Sequence, residues 1–90
     1  MNPDPFTEPV PNTEIGDYID IIKRRLESID QPLLQSKYNP ESINLVKRVV
    51  NQQLRTLEMY HANSFLMYRN VFDNIKKTIS ETFRTLKMLR

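Results

Sequence analysis

Residues 39–90 read NPESINLVKRVVNQQLRTLEMYHANSFLMYRNVFDNIKKTISETFRTLKMLR, and the fold turns on whether this stretch is one helix or two. Asn39-Pro40-Glu41 is a strong helix start. It combines a capping amide, a proline at the first helical position where no N–H is needed, and an acid at the positive end of the helix dipole. After Pro40 the sequence contains neither glycine nor proline, so no break is encoded by the usual punctuation. The spacing predicts a single helix over 39–90, roughly 75 Å long at 1.5 Å per residue. Its weakest point is His61-Ala62-Asn63-Ser64, where a kink would create a third helix folding back on the first two.

Projected at about 100° per residue, this segment shows three faces. Ile43, Val46, Val50, Leu54, Leu57, His61, Phe65, Tyr68, Phe72, Ile75, Ile79, Phe83 and Leu86 form one straight apolar stripe. A strict 3.5-residue repeat would drift around a straight helix, so a regular coiled coil is not required. A basic face holds Arg48, Arg55, Arg69, Lys77, Arg84 and Lys87, interrupted by Glu58 and Asp73. A third face is mostly amide and hydroxyl: Gln52, Thr56, Asn63, Asn70, Asn74 and Thr85. Between Met59 and Phe72 the apolar surface widens to take in Met59, Tyr60, Leu66, Met67 and Val71.

Upstream, residues 1–12 are spaced by Pro3, Pro5, Pro9 and Pro11. Proline removes a backbone donor and disfavours helix at the preceding residue, so an extended N-terminal arm is expected, with Phe6 and Val10 as its apolar anchors. Asn12 or Thr13 can cap a first helix over 13–31, in which Ile15, Tyr18, Ile19, Ile22, Leu26 and Ile29 recur at three- and four-residue steps. Pro32 closes it or starts a short extra turn, and residues 32–38 form a connection under which Leu33 and Leu34 are expected to pack. The expected fold is all-α: an antiparallel helical hairpin with a short first helix, a long C-terminal helix and a proline-rich arm.

The two helix lengths conflict. A first helix of about 28 Å covers the long one only over residues 40–60, leaving roughly 45 Å of stripe unpaired. Exposing Phe65, Tyr68, Phe72, Ile75, Ile79, Phe83 and Leu86 forfeits about 1.5–3 kcal/mol for each large apolar side chain. A ninety-residue chain also encloses little core alone. These seven residues are therefore the expected assembly interface with other protein chains, in a homo-oligomer or a multi-subunit complex. The alternative is a three-helix monomer kinked near Asn63.

Composition narrows the chemistry. Without cysteine, disulfides, thiolate metal sites and cysteine nucleophiles are excluded. A single histidine excludes a multi-histidine metal site within one chain, and His61 on the apolar stripe reads as a packed, hydrogen-bonded residue. There is no nucleophile elbow and no glycine-rich phosphate loop. No catalytic, metal-binding or cofactor-binding residues are expected, and the chain reads as non-enzymatic. No run of 18 apolar residues exists, so no transmembrane helix is expected. The start Met1-Asn2-Pro3-Asp4-Pro5 has neither a basic nor an apolar stretch, so no cleavable signal peptide is expected. The location stays open between the cytoplasm and export by a signal-independent machine.

The net charge of +2 conceals a gradient. Residues 1–22 carry five acids and no base, whereas residues 41–90 carry nine bases against four acids, so head and tail attract within one chain or between neighbours. The basic face is expected to be a solvated polar surface or to meet acidic protein and, as a lesser expectation, nucleic-acid phosphates.

The segment Val71-Phe72-Asp73-Asn74-Ile75-Lys76-Lys77-Thr78-Ile79-Ser80-Glu81-Thr82-Phe83-Arg84 resembles the C-terminal end of type III secretion needle subunits, matching at Val71, Phe72, Ile75, Ile79, Phe83 and Arg84. Asn39-Pro40 resembles the loop before that family's second helix. Asn39-Pro40-Glu41-Ser42 and Lys77-Thr78-Ile79-Ser80 resemble inner-rod subunits at a different spacing. The helix is several residues longer than in needle subunits, Thr85 to Arg90 run past their usual end, and the proline-spaced lead has no match. The resemblance implies helical polymerisation around a secretion channel, with the C-terminal helix between subunits. The sequence-level reading is a structural or assembly subunit of a secretion filament or of a viral or phage assembly. Alternatives are a small helical adaptor for one partner protein and a basic nucleic-acid-binding dimer.

Overall fold

A computed structural model describes residues 8–88. The fold is all-α: α1 spans Asn12–Ile29, α2 Pro32–Gln35, α3 Pro40–Ala62 and α4 Arg69–Phe83. Among the described residues there is no strand, only isolated bridges. No described helix is long and apolar enough to cross a membrane.

α1 begins immediately after the last proline of the lead, with Pro11 at its N-cap position and no side-chain cap. Ile15, Ile19, Ile22, Leu26 and Ile29 are buried, which is the face their spacing marks out. The helix stops at Ile29, ahead of Pro32, and the single turn of α2 leaves Leu33 exposed, so Leu33 does not pack beneath the connection as expected. α3 starts as the sequence reads: Pro40 is its first residue, and the Asn39 side-chain oxygen accepts from the Glu41 N–H at 2.8 Å.

The unbroken helix over 39–90 does not form. α3 ends at Ala62, and Ser64 takes a left-handed conformation with φ 52°. The Phe65 N–H then reaches back to the Tyr60 carbonyl at 2.9 Å and the Ser64 N–H to His61 at 3.3 Å. These are the 6→1 and 5→2 bonds that close a helix C-terminus, here with serine where glycine is usual. Tyr60 and Phe65 stack edge to face at 6.0 Å and complete the cap. The Asn63 side chain adds a bond to the Met59 carbonyl at 2.8 Å. A left-handed non-glycine residue costs about 1–2 kcal/mol, which this set of bonds and the packing behind it offset.

After an extended stretch over 65–68 the chain reverses. Three contacts fix the direction of α4: Arg69 meets Glu14, Phe72 meets Tyr18 edge to face at 5.6 Å, and the Arg25 guanidinium lies 3.9 Å above the Phe83 ring. Residue numbers rise together, so α4 runs parallel to α1 and antiparallel to α3. Asp30–Lys47 and Lys23–Glu58 ion pairs tie α1 to α3 in the antiparallel sense. The result is a three-helix bundle. Its longest extent, 53 Å, is well short of the roughly 75 Å that one helix over 39–90 would need.

This geometry removes the length conflict. Phe72, Ile75, Ile79 and Phe83, expected to be the interface with other chains, lie in the chain's own core beside Ile15, Ile22, Val46, Val50 and Leu57. Leu86 is half-buried against the same core. At roughly 22 Å, α4 matches the roughly 27 Å of α1 and the exposed half of α3, so one polypeptide covers its own stripe. Assembly is not needed to bury these residues.

Both ends of the bundle are clasped. At one end residues 8–10 run antiparallel to residues 67–69: Val10 N–H donates to the Met67 carbonyl at 2.8 Å and Arg69 N–H to the Glu8 carbonyl at 2.8 Å. Val10 is buried in the core; its expected companion anchor Phe6 lies outside the described residues. At the other end Asn39 N–H donates to the Lys87 carbonyl at 2.7 Å, and Lys87 N–H to the Ser42 hydroxyl at 3.2 Å.

Candidate interaction surface

The reversal over 63–68 creates the most distinctive surface of the molecule. Residues in an extended stretch alternate sides, so Met67 points inward and is fully buried while Leu66 and Tyr68 point out. Phe65 is held outside by its stacking on Tyr60. Met59 from the last turns of α3 and Val71 from the first turn of α4 join them. The exposures are 50% for Met59, 52% for Phe65, 60% for Leu66, and 40% for Tyr68 and Val71. Single exposed apolar residues are ordinary, but here five stand around one reversal at one end of the bundle. The two backbone bonds to residues 8–10 and the inward Met67 hold it in place, so little ordering remains for a partner to impose.

Charges border the patch. Arg69 grips the Glu14 carboxylate with both guanidinium nitrogens, the second bond being 3.1 Å. The hydrogen bonds from Arg69 hold the Glu14 carboxyl below its ordinary range, and Glu14 in turn raises Arg69. Beside this pair Lys76 stands over two rings, 4.9 Å from that of Phe72 and 6.0 Å from that of Tyr18. Burial pushes the Tyr18 phenol up.

Of the seven residues expected to form the interface, only Phe65 and Tyr68 stand on this patch. Met59, Leu66 and Val71 lie beyond that seven-residue set, and the widening of apolar surface after Met59 is the feature of the sequence that marks them. The expected basic face is also divided. Arg48 and Arg55 are exposed on α3, Lys77 on α4, and Arg84 and Lys87 beyond its end. The reversal places the two groups on antiparallel helices, and Arg69 is engaged by Glu14.

His61 packs as a structural residue. Its Nδ1 lies 3.1 Å from the Asn12 carbonyl oxygen, which only accepts, so Nδ1 donates. The Asn12 side chain donates back to the His61 carbonyl at 3.3 Å. Beside it, Asp17, Asp20, Lys23 and Glu58 line an open groove of about 470 Å³ between α1 and α3. Lys23 pairs with Glu58 across it. Among the described residues no group of three or more histidines or acids is arranged to hold a metal ion.

Compared with family models, with curated protein sequences and with solved structures, the chain matches none.

Proposed function

We propose that the chain is a non-enzymatic assembly subunit that meets further copies of itself through the apolar end formed by Met59, Phe65, Leu66, Tyr68 and Val71. The observation that carries this reading is the joint exposure of five large apolar side chains on a surface that hydrogen bonds and a buried anchor hold firm. Burying such side chains contributes about 1.5–3 kcal/mol each when complete. The resemblance of residues 71–84 to needle subunits would make the product a secretion filament, and a viral or phage structural assembly is the other form this reading takes. An adaptor for a single partner protein would use the same end and would be a monomer when alone.

Sedimentation velocity over a wide range of concentrations tests the proposal. The wild-type chain should self-associate. Phe65→Asp with Leu66→Asp should be monomeric at unchanged helicity, since neither side chain supports the core. A wild-type chain that stays monomeric throughout rejects it.

A further inference from the structure

The turn between α3 and α4 sets local pattern against fold. Its reversal rests on a left-handed serine, Ser64, at φ 52°. No glycine or proline follows Pro40. The apolar register meanwhile passes straight through: Leu54, Leu57, His61, Phe65, Tyr68 and Phe72 keep the three- and four-residue steps of one continuous helix face. In the folded chain Phe65 and Tyr68 gain little from that register, being 52% and 40% exposed.

We propose that the chain forms a dimer by exchanging α4 with a second copy. Residues 63–68 straighten, α3 and α4 become one helix, and each α4 packs on α1 and α3 of the other copy. The proposal rests on the self-association reading above and specifies how the copies engage. A breaker-free hinge held in a strained conformation is the usual setting for such an exchange.

The existing contacts indicate what the dimer would be. Arg69 with Glu14, Phe72 with Tyr18 and Arg25 with Phe83 are all made between α1 and α4, so each would be remade between copies without alteration. The bond from Lys87 N–H to the Ser42 hydroxyl marks the antiparallel register of the tail against α3. The midpoint of that register falls at residues 64–65. Two straightened helices sharing it would cross there, with Phe65 of one copy against Phe65 of the other and Leu66 and Tyr68 beside them. Straightening releases the two bonds to residues 8–10 and the inward seat of Met67. In exchange it restores helical hydrogen bonding through residues 63–68, relaxes Ser64 and covers the apolar end. The balance depends on protein concentration, and the exchange is slow because α4 must leave its core.

The experiment uses the absence of native cysteine. Gln52 and Glu81, both exposed, are replaced by cysteine, spin-labelled, mixed with excess unlabelled chain and refolded from denaturant at high concentration. The dimer fraction is then measured by dipolar spectroscopy. Exchange predicts an intrachain distance of about 43 Å, from 29 helical steps. The closed bundle predicts roughly 20 Å or less, from packed helix axes 8–10 Å apart. Ser64→Gly, which removes the left-handed penalty, should weaken the dimer roughly tenfold, and Asn63→Ala with Ser64→Ala should strengthen it. A dimer with the short distance overturns the exchange while leaving the apolar end as a contact between closed copies. A monomer under all conditions overturns both.

Discussion

The imidazole of His61 occupies the space where a side chain at Gly16 would begin: a Cβ built there stands 2.7 Å from His61 Cε1 and 3.1 Å from Nε2. The single glycine of the chain therefore sits inside α1, at its fifth residue, where the His61 ring from α3, hydrogen-bonded to Asn12, takes the space a side chain would need. Gly16→Ala gains about 1 kcal/mol in helix propensity but must push the ring off Asn12. The change should stabilise by about 1 kcal/mol only when His61 is already alanine. In the wild-type background that gain should be cancelled or reversed. Urea midpoints of the four chains in this double-mutant cycle measure the coupling, and strict additivity would show that the two sites do not touch.

Core and surface should separate cleanly along α4 and the turn before it. Phe72 is 1% exposed and Phe65 52%, though both lie on the same apolar stripe of the sequence. Phe72→Ala should cost about 3–5 kcal/mol, enough to unfold much of a small domain. Phe65→Ala should stay near the range of surface substitutions, roughly within 1 kcal/mol including its stacking on Tyr60. Chemical denaturation at low concentration reads both, and equal losses would contradict the bundle.

Acid should weaken the link between α1 and α4. The carboxyl of Glu14 is held low by Arg69 in the folded chain but titrates near 4.3 when unfolded. With the folded value depressed, the stabilisation is complete above the unfolded value and is lost as pH falls through the folded one. Wild type should therefore be more stable than Glu14→Gln at neutral pH, with the gap closing below about pH 4. Denaturant midpoints from pH 7 downward give the test, and a gap that persists undiminished in acid would mean the ion pair is not its source.

The start of α3 offers an independent check. Asn39 accepts from Glu41 N–H through its side chain and from Ile43 N–H through its carbonyl, while its own N–H holds the Lys87 carbonyl. Asn39→Ala removes only the first of these and should cost about 1 kcal/mol, within the 0.5–2 kcal/mol range of such caps. Asn39→Asp should retain most of that stability, and a loss as large as that of alanine would show that the side-chain bond to the Glu41 N–H is not what stabilises this start.

Which parts of this were legible beforehand follows from the range of the forces involved. The faces of α1 and α3, the proline-and-asparagine start at residues 39–40 and the stop before Pro32 are local, and periodicity and capping chemistry reveal them. The end of α3 was not legible in the same way. Its left-handed position is filled by Ser64 instead of glycine, and a serine there is held by bonds and packing from Tyr60, His61, Val10 and Met67, some of which exist only once the chain has reversed. The exposed end could be glimpsed in the widening after Met59, yet nothing local separates Met67, which is buried, from Leu66, which is not.

Sequence by itself determined that this chain is helical, that the five apolar stripe positions after residue 70 call for shielding from water, and that cysteine and multi-histidine chemistry have no place in it. Tertiary structure decided who does the shielding. Helical periodicity specifies a face but not its cover, because burial is non-directional and rewards a neighbour's surface as readily as the chain's own. Only the turn at Ser64, stabilised by contacts distant in sequence, turns α4 back onto α1 and leaves an apolar end at Phe65 and Leu66 open to water.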